Sequence, residues 1–352
     1  MKRILLTTSL FVSLFLLKCG PTVTQSQNNS TLEDPENNPK NDPNSIDPTK
    51  YAESIKASEL KDLLYVYASD DFEGRNTGEP GQKKAVAFLS DFYKKNDIPS
   101  PLDTTYFQIV PKSFFKAGSN LNASENVLAY IEGSTKPDEI LVVSAHLDHV
   151  GVRSDGEVFN GADDDGSGTV AVLEIAKAFK QALKDGYRPK RSILFLHVTG
   201  EEKGLYGSRY YVENPVFPLS NTIADLNIDM IGRQDPKHDD PNYVYLIGSD
   251  KLSTELDSIS TAVNKKYINL NLDYTYNEEG DPNRFYYRSD HYNFARNGVP
   301  VIFYFNGVHE DYHKVTDTPD KINYDILQKR ARLVFFTAWE LANRDKRIVV
   351  DK

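Results

Sequence analysis

ILVVSAHLDH at residues 140–149, followed by NGADDDGSGTVAVLEIAKAFKQAL at 160–183, decides how the rest of the chain is read. Residues 140–144 are a short aliphatic run, the composition of a strand buried on both faces. The run stops in a polar segment holding His146, Asp148 and His149. Residues 169–183 then place apolar side chains at helical spacing. A buried strand, a polar loop and an apolar helix form the repeating unit of an α/β sheet covered on both sides. Sites in such sheets lie beyond the carboxyl ends of the strands. The polar residues that matter are therefore those where apolar runs stop.

The same alternation extends outward. Short apolar runs at 126–131, 193–199, 224–230, 243–247 and 301–305 predict strands. Ile55, Leu60, Leu63, Leu64 and Tyr67 predict an amphipathic helix, and further helices fall at 83–93, 253–266 and 324–341. The predicted fold is α/β: a mixed, mostly parallel central sheet with helices on both faces. No internal repeat is present, and no glycine-rich phosphate loop follows a strand.

The start of the chain has a different composition. Lys2 and Arg3 precede an almost unbroken apolar run at 4–17, too short for a comfortable permanent span and typical of an export signal. Cys19, the only cysteine, follows directly, which excludes an intrachain disulfide framework. A cysteine there resembles the lipobox of bacterial lipoproteins. Leu16 fits that pattern, whereas Lys18 stands where a small residue is usual. Residues 20–50 are dominated by Asn, Pro, Ser, Thr and Asp and bury too little to fold alone. The expected layout is a signal peptide at 1–18, a lipid-anchored tether at 19–50 and one catalytic domain at 51–352. The protein is expected to be exported and held on a membrane, facing the periplasm or the cell exterior. A formal net charge of −10 argues against a nucleic-acid partner.

Five segments carry candidate chemistry. His146 ends the first strand, with Asp148 two residues on, a spacing that suits a metal ligand and a carboxylate behind its ring. Asp163, Asp164 and Asp165 are adjacent and enter an apolar helix; like charges buried there favour a bound cation. Glu201 and Glu202 follow the strand at 193–199, where one could face a metal and the other a water upon it. Asp229 lies within an apolar run, where an unpaired carboxylate is costly. His313 lies beyond the last strand, with Asp290 and Asp317 flanking that region. Two histidines and three carboxylates form the mixed nitrogen and oxygen set that suits zinc. Five groups are too many for one catalytic zinc with an open position, and they suit two that share a carboxylate.

These segments, in this order over roughly residues 55–345, resemble the co-catalytic di-zinc aminopeptidase family, which includes bacterial leucyl aminopeptidase, glutamate carboxypeptidase and the related glutaminyl cyclases. DDFEGRNTGEPGQKKAVAFL at 70–89 is also similar. The resemblance implies two Zn²⁺ ions. His146 and Asp229 would bind one, Glu202 and His313 the other, and Asp164 would bridge them, followed by a cis peptide bond. Glu201 would be the general base for a bridging hydroxide, and Asp148 would support His146. Asp290 and Asp317 would be structural. The stretch between the N-terminal helices and His146 leaves no room for the inserted protease-associated domain of many relatives. The implied activity is removal of N-terminal residues from peptides. Tyr286, Tyr287 and Phe305 are expected to line the specificity pocket. The alternatives are a glutaminyl cyclase, a carboxypeptidase using Arg284 or Arg288, or a non-catalytic binding protein, which loss of ligand residues would have favoured. The sequence does not determine the oligomeric state.

Overall fold

A computed structural model describes residues 46–352. The expected export signal and Cys19 lie outside the described residues. Among those described, no helix is long and apolar enough to cross a membrane. Residues 46–50, expected in the tether, belong to the folded unit. Helix α1 spans Thr49–Ala52, Tyr51 is buried, and Ile46 packs on the main core.

Eight strands form one sheet: β1 (Phe107–Val110), β2 (Ser124–Ile131), β3 (Lys136–His146), β4 (Arg191–Val198), β5 (Thr222–Ile228), β6 (Tyr243–Ile247), β7 (Asn271–Asp273) and β8 (Val301–Phe305). Their order is β1-β2-β4-β3-β5-β8-β6-β7. The central four, β4-β3-β5-β8, are mutually parallel, while β2 and β6 run antiparallel to their inner neighbours. The sheet is thus mixed and mostly parallel at its centre. Every residue of β4, β5, β6 and β8 is buried, which is why these strands read as continuous apolar runs.

On one face lie α2 (Ala57–Tyr67), α3 (Pro80–Lys95), α4 (Gly168–Lys184), α6 (Thr254–Val263) and α8 (Tyr324–Asn343). With the sheet they enclose the main core, where Phe179 stacks on Trp339 and packs at a tilt against Phe335. Two shorter helices, α5 (Tyr206–Glu213) and α7 (His291–Ala295), cover the other face through Tyr211, Val212 and Phe294.

Arg75 binds the loops that leave the sheet. It is fully buried, and its guanidinium donates to the carbonyls of Leu147, Tyr67, Asn160 and Gly161 while lying 4.6 Å from the centre of the Tyr67 ring. One cation thus satisfies four buried carbonyls and fixes the loop after β3 against the turn that leads into α4.

Candidate metal centre

The five sequence-predicted ligand positions converge at the carboxyl ends of the four parallel strands. His146 is the last residue of β3, Glu202 follows β4, Asp229 follows β5, His313 lies in the loop after β8, and Asp164 lies in the turn before α4. His146 Nε2 is 3.2 Å from Asp164 Oδ1 and 3.6 Å from Asp229 Oδ1. His313 Nε2 is 3.0 Å from Asp164 Oδ2 and 3.0 Å from Glu202 Oε2. The two oxygens of Asp164 therefore face two separate groups of donors. The backbone is left-handed at Met230, next to Asp229, and at His313 itself; strained conformations of this kind gather at functional sites.

The three adjacent aspartates have three different environments, which answers the problem of burying them together. Asp163 accepts from Gly232 N and lies 3.1 Å from His309 Nε2. Asp165 accepts from the backbone N–H groups of His146, Gly168 and Met230, so it clamps the ends of β3 and β5 to the start of α4. Asp164 turns its carboxylate into the cluster, and the Asp164–Asp165 peptide is cis, as the resemblance implied. Asp317 receives the N–H groups of both Asp163 and Asp164. Asp165 is also close enough to His146 and Asp229 to share an ion with them. Three main-chain bonds already engage its carboxylate, so Asp164 is the better donor.

The chemistry of the cluster fits a bound cation. Asp164 Oδ2 and Glu202 Oε1 are buried, and the imidazole nitrogens 3.0 and 2.8 Å from them are not aligned for a good hydrogen bond, a costly state unless a metal completes it. Although burial opposes it, the carboxylates of Asp164 and Glu202 raise the His313 imidazole to about 10. Against burial and the charge of Asp164, the neighbouring His149 and His313 hold Glu202 down to about 2. Both shifts express a strong local demand for positive charge.

Asp148 differs from expectation. His146 Nδ1 meets the Asp148 backbone oxygen at 3.0 Å, while the carboxylate is 3.9 Å away. That carboxylate instead accepts from Thr77 Oγ1 at 2.7 Å and from Glu201 N at 3.1 Å. Asp148 thus holds the backbone of Glu201, and the main chain orients the histidine. Glu201 itself faces a cavity of about 30 Å³ beside the cluster. Burial, opposed by His146 but reinforced by the charges of Glu202, Asp290 and Asp229, raises its carboxyl well above the ordinary value.

Phe305 lines this cavity with Phe285, Phe303, Met230 and Tyr312, and Arg288 lines it as well. Tyr286, Tyr287 and Arg284 do not line it. They border a separate surface hollow with Lys251 and Glu278, and of the turn at 285–287 only Phe285 is buried. Asp290 accepts from Ser208 Oγ, consistent with a structural role.

His149 was not singled out from the sequence. Its ring is fully buried, with Nδ1 2.8 Å from Glu202 Oε1, and with Asp164 and Glu202 it forms a second possible ion-binding group. Gly161, at φ 54°, allows this ring to pack, since a Cβ there would lie 2.5 Å from it. The only sequence signal was its place three residues after His146.

An α/β sheet whose parallel strand ends gather imidazoles and buried carboxylates within reach of one another defines a class: proteins with a candidate metal site at the strand ends of a mostly parallel sheet. The family model of Peptidase family M28 matches residues 126–338, and the chain belongs to that family. It is 27% identical over 299 residues to leupeptin-inactivating enzyme 1 of Streptomyces exfoliatus, covering 79% of this chain and 59% of that one. The chain thus spans about three fifths of that relative. Among solved structures, BSAP, a zinc aminopeptidase from Bacillus subtilis, superposes with a TM-score of 0.64 at 16% identity, over 82% of this chain and 96% of that one. The glutaminyl cyclase of Porphyromonas gingivalis gives 0.61 at 19% identity, over 80% and 97%. These two likenesses show the fold.

Proposed function

We propose that the protein is a zinc-dependent exopeptidase that removes N-terminal residues from peptides. The observation that carries this reading is Asp164, whose two oxygens face two donor groups beside a small cavity. His146, Asp164 and Asp229 would hold one zinc, and Asp164, Glu202 and His313 the second. When bound, the ions supply Lewis acidity that polarises a carbonyl and eases loss of a proton from water. Glu201 accepts that proton and passes it to the departing amine; its raised carboxyl pKa suits a group that must both take and give. Glu201 and Asp229 at the cavity wall favour a free α-ammonium group, and Phe285, Phe303 and Phe305 favour an apolar side chain. The name of the Bacillus subtilis neighbour, a zinc aminopeptidase, supports the same reading. Arg288 in the cavity lining is the one feature that favours a carboxypeptidase instead.

A panel of free and N-acetylated peptides, glutaminyl substrates and peptides with C-terminal glutamate, each with and without chelator, tests the proposal. Only free N-termini should be cleaved, with apolar first residues preferred, and chelation should abolish turnover. Equal cleavage of acetylated peptides would remove the aminopeptidase assignment, and cyclisation without hydrolysis would favour the glutaminyl cyclase.

Export and anchoring through Cys19 are part of the same proposal, supported by the apolar run and tether around it. Two anchoring chains give stable attachment where one is marginal. Cys19→Ala should move the protein from the membrane fraction to the soluble one; unchanged fractionation would remove the lipid anchor.

A further inference from the structure

On the α5/α7 side of the sheet, a polar column descends from Asp229 into the core. Ser289 Oγ is 2.7 Å from Asp229 Oδ2, and Asn227 Nδ2 is 2.9 Å from Ser289 Oγ. Ser144 Oγ is 3.0 Å from Asn227 Oδ1 and 2.7 Å from Asp225 Oδ1. Ser144, Asn227, Ser289 and Asp225 are all essentially inaccessible to solvent.

The protons of this column can be counted. Four contacts need four protons. Ser144 and Ser289 supply one each, and the Asn227 amide presents one N–H along the column. Asp229, read as a metal ligand, carries none. The fourth proton must therefore come from Asp225. Turning the Asn227 amide over does not remove the deficit. It moves the deficit to Ser289, which would then face two acceptors with one hydrogen.

We propose that Asp225 is a protonated carboxylic acid that sets the direction of this chain, and is thus a positioning residue for Asp229. Asp225 donates to Ser144, Ser144 to Asn227, Asn227 to Ser289, and Ser289 to the Asp229 carboxylate. Every hydrogen bond then points toward the metal centre and steadies the oxygen of Asp229 that faces away from His146. Ionised Asp225 would draw the Ser144 proton to itself and leave Asn227 Oδ1 without a donor. The surroundings agree with the count. Burial, eased by Ser144 but reinforced by the charge of Asp290, pushes the Asp225 carboxyl up to about 8. The directly opposed residues on β3 and β8 are Val142 and Val301. The titratable groups that face Asp225 are Asp290 at the start of α7 and Tyr211 of α5, neither of them a cation. Asp225 Oδ2, Asp290 Oδ2 and the Tyr211 hydroxyl are all buried without a hydrogen-bond partner among the described residues.

The inference rests on reading Asp229 as a ligand, and the experiment separates the two. The infrared difference between wild type and Asp225→Asn, on the protein as purified near pH 7, should contain the carbonyl band of a protonated carboxyl. Its absence would overturn the proposal whatever the metal does. Asp225→Asn keeps a neutral donor toward Ser144, so it should retain zinc against a chelator as the wild type does. Ser144→Ala breaks the column two links from the ligand and should weaken retention, by less than the roughly 10- to 100-fold usual for a partner in direct contact with a ligand. Equal zinc loss in Asp225→Asn and Ser144→Ala would also overturn the proposal. Stability gives an independent reading. The fold raises the Asp225 pKa, so its stabilising contribution is complete only below the ordinary carboxylate range and is lost as pH rises to about 8. The Tm of Asp225→Asn should therefore gain on the wild type between pH 5 and about 8 and then stay parallel. A constant gap across that window counts against the protonated acid. If Asp229→Ala binds zinc normally, the ligand reading fails while the infrared result still stands on its own.

Discussion

Asp164→Ala is expected to cost the protein both of the proposed metal ions at once, whereas His146→Ala and His313→Ala should each weaken mainly one. The expectation follows from geometry. Asp164 alone presents one oxygen to His146 and the other to His313. Despite burial, the nearby imidazoles of His146, His313 and His149 hold its carboxyl well below the ordinary range, so it is an anion at any working pH. Removing a partner behind a ligand commonly costs 10- to 100-fold in metal affinity, so loss of the shared ligand should exceed about a hundredfold at each position. Turnover should fall by at least about a thousandfold, because a bound metal is worth several kcal/mol in the transition state. Folding is not the weak point. The turn is held by Asp163, Asp165 and Asp317, none of which is changed, and removing one of three adjacent carboxylates relieves repulsion. Metal content by elemental analysis, with circular dichroism as the folding control, decides the matter. Retention of two ions would exclude Asp164 as the bridge, and retention of one would assign it to a single position. The same assay on His149→Ala settles which imidazole serves the second position. His313 reaches both Asp164 and Glu202 at 3.0 Å, while His149 approaches Glu202 at 2.8 Å and Asp164 only at 3.8 Å. Loss of zinc in His149→Ala but not in His313→Ala would reverse that assignment.

What could be read from the sequence follows the burial pattern of the sheet. The central strands and β6 were legible because both faces are covered, leaving unbroken apolar runs. The edge strands β1 and β7 were not, because they are only four and three residues long and mostly exposed or half-buried. Helix α5 was also missed. It begins at Tyr206 after a left-handed Leu205 and carries polar residues that meet α7 rather than a broad core. The five ligand positions were legible because each closes or follows a recognisable strand. Residues whose role depends on where the main chain turns were not. Asp165 acts through three backbone N–H groups, and Ser289 touches Asp229 from a loop sixty positions away. Asp148 shows the limit of spacing as evidence. A carboxylate two residues after a histidine can lie behind its ring, but here Thr77 and the backbone of Glu201 claim it, and the carbonyl of the same residue takes its place.

Glu201→Gln should give a folded, zinc-loaded protein whose kcat has dropped by roughly 10² to 10⁴, the usual contribution of a positioned general base. Glu201 and Glu202 are neighbours in the chain, yet the structure gives them different surroundings. Glu202 lies between His149 and His313, which hold its carboxyl down to about 2 even against burial and the charge of Asp164. That is the environment of a permanent anion and a ligand. Glu201 faces the cavity, with its backbone fixed by Asp148 and its carboxyl raised by burial, which is the environment of a group that exchanges protons. The glutamine side chain keeps the size and the hydrogen bonds of a neutral carboxyl but cannot accept the proton of the attacking water. Its loss should therefore appear in kcat while KM changes little, because the missing interaction is made in the transition state. Competitive inhibitors should still bind. Glu202→Ala should behave otherwise, losing zinc and turnover together. Measuring zinc content, kcat and inhibitor binding on both variants separates the two roles. Near-normal kcat in Glu201→Gln, or zinc loss equal to that of Glu202→Ala, would mean that the residue facing the cavity is not the base.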